Sequence, residues 1–371
     1  MIRKRLTPWM LLLSLIFLSG CWDIDYLRDF RLVVIAGFDR NPDGKIMETV
    51  AVRYPPATFG SGSPTNITFE GIGNSVREAR KNIAIKTNGR IRTSKNRVLL
   101  FGERLAKEGI YDVLDVLYRD PKSALSAHIA VTRGTAKDII TINQIGSTLI
   151  GKYIDELIES NETKSIVEKH NIESIFAYLM DPLQDFAIPY LTSDGKDVKV
   201  AGMAMFHGQR MTGILTPDES ILYLMMKGKN KSRSDLTIKI GQNERSPQRN
   251  FISIDIRKTK PKMDVKVHGN KIDVTLVDKL KVEVGEYPPD QLEQEEHAKK
   301  LSSQLSAILT KRMNSLLKKM QKAHFDGFGV ARHLKAFHYE DFKKIDFEKE
   351  FPHIHFQAKA IVEISDYGII S

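Results

Sequence analysis

The chain has little with which to cross-link itself or to cross a membrane. Its 371 residues contain one cysteine, Cys21, so no intrachain disulfide can form and the fold must be stabilised by its core. The apolar run Trp9 to Leu18 is interrupted only by Ser14. Ten residues of helix reach about 15 Å, and the hydrocarbon core of a bilayer is roughly 30 Å thick, so this run is too short for a permanent span. Catalytic signatures are also missing. There is no Gly-x-Ser-x-Gly elbow. Gly71-x-Gly73 and Gly327-x-Gly329 lack the rest of a phosphate-binding fingerprint and read as glycines of tight turns. With 27% charged residues, no pair of carboxylates can be singled out for acid–base work.

Histidines offer little more. His353-x-His355 would set two imidazoles on one face of a strand, a geometry that can begin a metal site. That face continues as Gln357 and Lys359, opposite the apolar set, and reads as solvated. His324, His333 and His338 share no ligating spacing. No metal, cofactor or catalytic residue is expected.

Cations are in excess. Lysine and arginine number 56 against 46 aspartate and glutamate, a formal charge of +10. Three of those cations, Arg3, Lys4 and Arg5, precede the apolar run, leaving +7 on the remainder. The surplus suits an anionic environment such as lipid head groups or cell-wall polymers. It is dispersed along the chain, and no nucleic-acid-binding motif accompanies it.

The first residues form a pattern of their own. A basic head, a short apolar middle and the small residues Leu18-Ser19-Gly20 before Cys21 are the three parts of a secretory signal. Ordinary cleavage needs no thiol. Leu-Ser-Gly-Cys resembles the lipobox of bacterial lipoproteins, which implies cleavage between Gly20 and Cys21 and a diacylglyceryl group on the Cys21 thiol. Two acyl chains give stable attachment where one gives only marginal binding. Removing residues 1–20 leaves 351, beyond the size at which single cores usually split.

Residues 21–31 are expected to be a tether, its aromatics Trp22, Tyr26 and Phe30 resting either at the lipid interface or on the body. A strand over Leu32–Ala36, the turn Asn41-Pro42-Asp43-Gly44 and a strand over Ile46–Tyr54 predict a hairpin, followed by a loop from Pro55 to Asn66. Helices are expected from Ser75 to about Ile83, from Ile110 to Leu117, from Thr135 to Ser160 and from Ile172 to Met180, with strands at Val98–Phe101 and Ala127–Thr132. A polar turn at Ser193–Lys196 closes this first region. Beyond it the pattern alternates: Val198–Phe206, Met211–Leu215, Phe251–Ile256, a hairpin about Gly269-Asn270, Lys279–Val284, and a last strand over Ile354–Ile364. One long helix from Asp290 to Ala323 interrupts the strands, with Leu301, Leu305, Ile308, Met313, Leu316, Leu317 and Met320 near one face. The expected class is α+β, multidomain, with small mixed sheets flanked by helices, helix-richer first and strand-richer later. The expected divisions are 1–20, 21–31, 32–196 and 197–371, the last subdivided near 289.

Several blocks then acquire meaning together. They are Cys21-Trp22-Asp23, Leu32-Val33-Val34, Gly37-Phe38-Asp39, Gly73-Asn74-Ser75-Val76-Arg77-Glu78-Ala79, Val200-Ala201-Gly202-Met203-Ala204-Met205-Phe206 and Phe325-Asp326-Gly327-Phe328-Gly329. In this order and spacing the chain resembles the Ger(x)C family of spore germination lipoproteins, the C subunits of germinant receptors. It departs from the family pattern at Tyr26-Leu27, where a Glu-Leu pair is usual, and at His338-Tyr339, where a tryptophan is usual. The resemblance implies a noncatalytic protein anchored by Cys21 to the outer face of the inner spore membrane. It also implies assembly with two multi-pass membrane proteins, the A and B subunits. The rival reading is a solute-binding lipoprotein of an ABC importer, which should present two similar α/β lobes around a cleft.

Overall fold

The protein was analysed as a computed structural model that describes residues 29–54, 65–231, 234–242, 246–269 and 271–367. Gly20, Cys21, the leader and most of the expected tether lie outside the described residues. Strand β1 (Phe30–Arg40) already includes the last two residues of the segment expected as tether. It turns through Asn41–Gly44 into β2 (Ile46–Tyr54). The turn works as its residues suggest: Gly44 takes φ 77°, and the Asn41 side chain accepts a 2.7 Å hydrogen bond from the Lys45 amide.

Next come β3 (Thr65–Gly73), α1 (Val76–Ala84), β4 (Arg90–Arg92), β5 (Val98–Gly102), α2 (Glu103–Glu108), α3 (Tyr111–Arg119) and β6 (His128–Thr132). β3 starts within the segment expected as loop. The single helix expected over 135–160 is instead α4 (Ala136–Ile140), two short strands, β7 (Gln144–Ile145) and β8 (Thr148–Leu149), and α5 (Ile150–Thr163). The reason is local: Asn143 and Gly146 sit at φ 64° and 59°, left-handed conformations that no α-helix contains. Then follow α6 (Ile172–Met180), β9 (Phe186–Ser193), β10 (Val198–His207) and β11 (Arg210–Leu215).

These strands make one mixed sheet in the order β11-β10-β9-β6-β5-β1-β2-β3, with β4 beside β1. Its middle, β1-β5-β6-β9, is parallel, and an antiparallel meander extends it at either side. The division expected at 196/197 falls in the turn between β9 and β10, whose residues pair from Ser193↔Val198 to Phe186↔Phe206. Helices cover both faces of the sheet, as its parallel part requires. Helix α1 crosses β3 so closely that a Cβ on Gly71 would overlap the Ala79 carbonyl.

An element with no counterpart in the expected set follows. Helix α7 (Pro217–Met226) starts on a capping box, the Thr216 hydroxyl accepting from the Glu219 amide, with proline in its first turn. Every residue from Ser220 to Met226 is buried, because α7 lies between the first sheet and a second one. The second sheet has the order β12-β13-β14-β15, comprising β12 (Ser234–Lys239), β13 (Phe251–His268), β14 (Lys271–Glu286) and β15 (His355–Asp366). β13 and β14 form one long antiparallel hairpin rather than several short strands. β15 joins β14 in parallel.

The connection from β14 to β15 is α8 (Glu295–Lys322), followed by the short helices α9 (Val330–Phe337), α10 (Tyr339–Phe342) and α11 (Phe347–Glu350). Helix α8 begins later than expected, because Asp290 and Gln291 have φ 58° and 73°. Its buried stripe matches the expected one except that Leu309, not Ile308, is fully buried. A row of polar residues on α8 faces the free edge of β15. Ser306 and Thr310 accept from the amides of Val362 and Ala360, both at 2.9 Å. Asn314 both accepts from the Ala358 amide and donates to its carbonyl. An otherwise open strand edge, a template for aggregation, is thereby closed. The architecture is α+β with mixed sheets of nine and four strands; these are not two similar lobes about a cleft.

Candidate functional site

The block Phe325–Gly329 lies where α8 turns back onto the first sheet, and it organises a buried junction. The Asp326 carboxylate accepts from the amides of Val330 and Ala331, both at 2.9 Å, and so holds the first turn of α9. Its own amide donates to Asp185 Oδ2 at 2.8 Å. Asp185 stands just before β9, and its second oxygen accepts from the Gly208 amide in the β10–β11 turn. Two carboxylates thus tie the start of β9, the β10–β11 turn and the turn after α8 together. Burial pushes the Asp326 carboxyl up to about 7 against the pull of its amide donors, and nearby Asp185 adds to the rise.

His207 completes this junction. Its Nδ1 lies 3.1 Å from Asp185 Oδ2, and its Nε2 lies 3.1 Å from Glu348 on α11. The hydrogen bond to Asp185 raises its proton affinity, partly offset by burial. From the other side Tyr223 of α7 donates to the Gly327 carbonyl at 3.1 Å, and Gln184 donates to the same oxygen at 3.2 Å. A side chain at Gly327 would meet the Phe325 ring and the Tyr223 hydroxyl. The junction is packed, with room for about one water beside Asp185, His207, His324 and Phe351. It positions elements; it offers no space for a substrate.

Two further charged clusters are at least partly buried. In one, Lys227 bridges Glu168 at 2.8 Å and the Tyr223 hydroxyl at 3.0 Å, and His170 Nε2 stands 3.5 Å from the same glutamate. These partners outweigh the desolvation of Glu168, whose carboxyl is pulled down to about 2. In the other, His128 faces α5, with Nδ1 2.9 Å from Asp155 and Nε2 3.6 Å from Glu162. His128, Asp155 and Glu159 bring one donor atom each within 4.8 Å of one another, the one such set among the described residues. A metal there would have to displace both the His128 hydrogen bond and the 2.8 Å Arg97 ion pair on Asp155. As built, it is a protonatable ion cluster on the i, i+4, i+7 face of α5, a spacing visible in the sequence but common on any charged helix.

The expected histidine pair does not form. His353 belongs to the turn Phe351–His353 ahead of the strand, and only His355 enters β15, where it pairs with Asp273 at 2.9 Å. A surface depression of about 570 Å³ is lined by Asp39, Arg40, Glu103, Arg104, Lys107 and Glu108 among others. Its charged groups pair with one another, Arg40 and Arg104 with Glu108 and Lys107 with Glu103. No helix among the described residues is long and apolar enough to cross a membrane.

Comparison with known proteins places the chain. A sequence profile described as the spore germination protein N-terminal domain matches residues 23–193, and one described as spore germination B3/GerAC-like, C-terminal, matches residues 201–368. Spore germination protein GerQC of Bacillus cereus is 23% identical across 97% of this chain and 99% of its own length. Spore germination protein KC of Bacillus subtilis (strain 168) is 26% identical across 100% of this chain and 97% of its own. The crystal structure of the GerBC protein superposes with a TM-score of 0.59 at 17% identity, covering 89% of this chain and 96% of that one, and so shares the fold. Two germination domains in tandem define the class, a spore germination protein of α+β architecture. Within that class the chain belongs to the Ger(x)C family.

Proposed function

We propose that the protein is a membrane-anchored C subunit of a spore germinant receptor and that it works by assembly rather than catalysis. The observation that carries this reading is the register between two independent features: the germination-domain match begins at residue 23, two residues after the lipobox cysteine. The diacylglyceryl group on Cys21 supplies attachment at the outer face of the inner spore membrane, and the two-sheet body supplies contact surface for the integral A and B subunits. The tightly packed junction around Asp326 supports a body that acts as one piece, suited to transmitting contact rather than to turning over a substrate.

Cys21→Ala tests the anchor. The variant should lose incorporation of labelled palmitate, release the body from spore membranes, reduce recovery of the A and B subunits with it, and depress nutrient-triggered germination. A cleaved, unacylated form still retained on the membrane would overturn the anchor as stated.

A further inference from the structure

The outward face of the second sheet carries a charge arrangement that folding alone disfavours. Along β13 the residues pointing away from the core beyond its bulge include Lys258, Lys260 and Lys262; on β14 they include Lys279 and Lys281, and on β15 Lys359. The register sets Lys258 opposite Lys281 and Lys260 opposite Lys279, and Lys359 beside Val277, which in turn faces Lys262. Like charges directly across strands destabilise a sheet. All six side chains are exposed, and only Lys281 has a carboxylate partner, Glu363 at 2.9 Å. Strands stand about 4.8 Å apart and alternate residues about 7 Å apart, so six ammonium groups occupy a patch on the order of 10 by 14 Å. Exposed Ile361 lies among them, opposite Lys279.

Protection of an edge strand accounts for part of this. β12 pairs only with residues 251–256 of β13, so Lys258, Lys260 and Lys262 lie on a free edge, where lysine discourages pairing. That reason does not extend to Lys279 and Lys281 on an interior strand, or to Lys359 on a strand whose edge α8 already covers. Part of the cationic surplus expected to be dispersed along the chain is therefore gathered on one face of this sheet.

We propose that this face docks on an anionic phospholipid surface and orients the body against it. The proposal rests on the membrane location read above. A sheet face with long-stemmed lysines around an exposed isoleucine suits an array of anionic head groups, where each lysine contributes about fivefold to binding. It would act as the second contact beside the acyl anchor.

The chain from Trp22 onward is free of acyl groups and keeps both sheets and every described helix. It should sediment with vesicles of phosphatidylcholine mixed with phosphatidylglycerol, ignore pure phosphatidylcholine, and lose binding as salt is raised. Replacing Lys260, Lys279 and Lys359 with alanine should weaken binding on the order of 100-fold. Replacing Lys81, Lys95 and Lys122, an equal charge removed elsewhere, should leave it within about threefold. Lys279→Glu provides a check against misfolding: it sets a carboxylate opposite Lys260, so melting temperature should rise while vesicle binding falls. Equal loss in both triple variants, no vesicle binding by the parent, or binding to a soluble polyphosphate in place of vesicles would overturn the proposal. An acylated protein whose body ignores vesicles would sink the face and leave the anchor; an unacylated one whose body binds them would do the reverse.

Discussion

Single buried carboxyls are the residues whose chemistry the fold alters most. Asp278 lies on the core side of β14, 1% exposed. One oxygen accepts from the Lys260 amide at 3.0 Å, and the other has no partner. Burial pushes this carboxyl up to about 7. The folded protein therefore holds a proton that the unfolded chain, at 3.8, has released, so stability falls as pH rises between those values and levels off above about 7. Asp39, raised to about 6, and Asp326 act in the same direction. At about 1.4 kcal/mol per unit of displacement, Asp278→Asn should recover a few kcal/mol at pH 8 and less than half of that at pH 5. Thermal unfolding at both pH values should show the parent's fall in melting temperature shrink by at least about 3 °C; an unchanged fall would mean that Asp278 is ionised in the fold. None of this is legible in the sequence, where Asp278 is one carboxylate among many until the sheet gives it a side.

At the scale of elements, legibility followed periodicity and local punctuation. The hairpin of β1 and β2, the strand β6, helix α6 and the strict alternation of β15 all stand where their patterns place them: near-continuous apolar runs mark strands buried on both faces, and alternation marks one buried face. Helix α7 escaped because it is buried all round and has no polar face to give a period, although Thr216-Pro217-Asp218-Glu219 announces its start. The segment 135–160 misled for the opposite reason: helical composition ran through a turn whose left-handed residues, Asn143 and Gly146, are visible only as conformations. Gly202, by contrast, was legible as part of a motif before its reason was known. It sits at φ 123°, in the bulge between β9 and β10, where a Cβ would overlap the Leu215 carbonyl. Helix α8 owes its place as much to polar spacing as to its apolar stripe. Asn314→Ala should leave the Ala358 amide and carbonyl without partners and cost about 1–3 kcal/mol, read as a lower denaturation midpoint. Full stability in that variant would mean that water can serve the edge as well as the helix does.

For the molecule as a whole, the proposed anchor rests on adjacent residues and the proposed role of the body on resemblance, because a signal is local in the chain and contact surfaces exist only after folding. The family followed from spaced motifs and the fold class from the succession of helical and strand patterns. The lysine face did not, since Lys258 and Lys359 are a hundred residues apart and meet only through β14. Order of synthesis adds a consequence of the parallel pairing between β14 and β15. The strand that finishes the second sheet is the last described element, ending at Asp366, and the polar row on α8 has no strand edge to close until it arrives. The second sheet therefore cannot complete its fold until β15 has emerged. A stop codon at position 355 removes a small fraction of the length but strips the strand that α8 covers. We expect such a truncation to be degraded rather than merely weakened, with steady-state protein near zero on immunoblots. A tag appended after Ser371 should be harmless, so the two variants separate loss of the strand from mere extension beyond it.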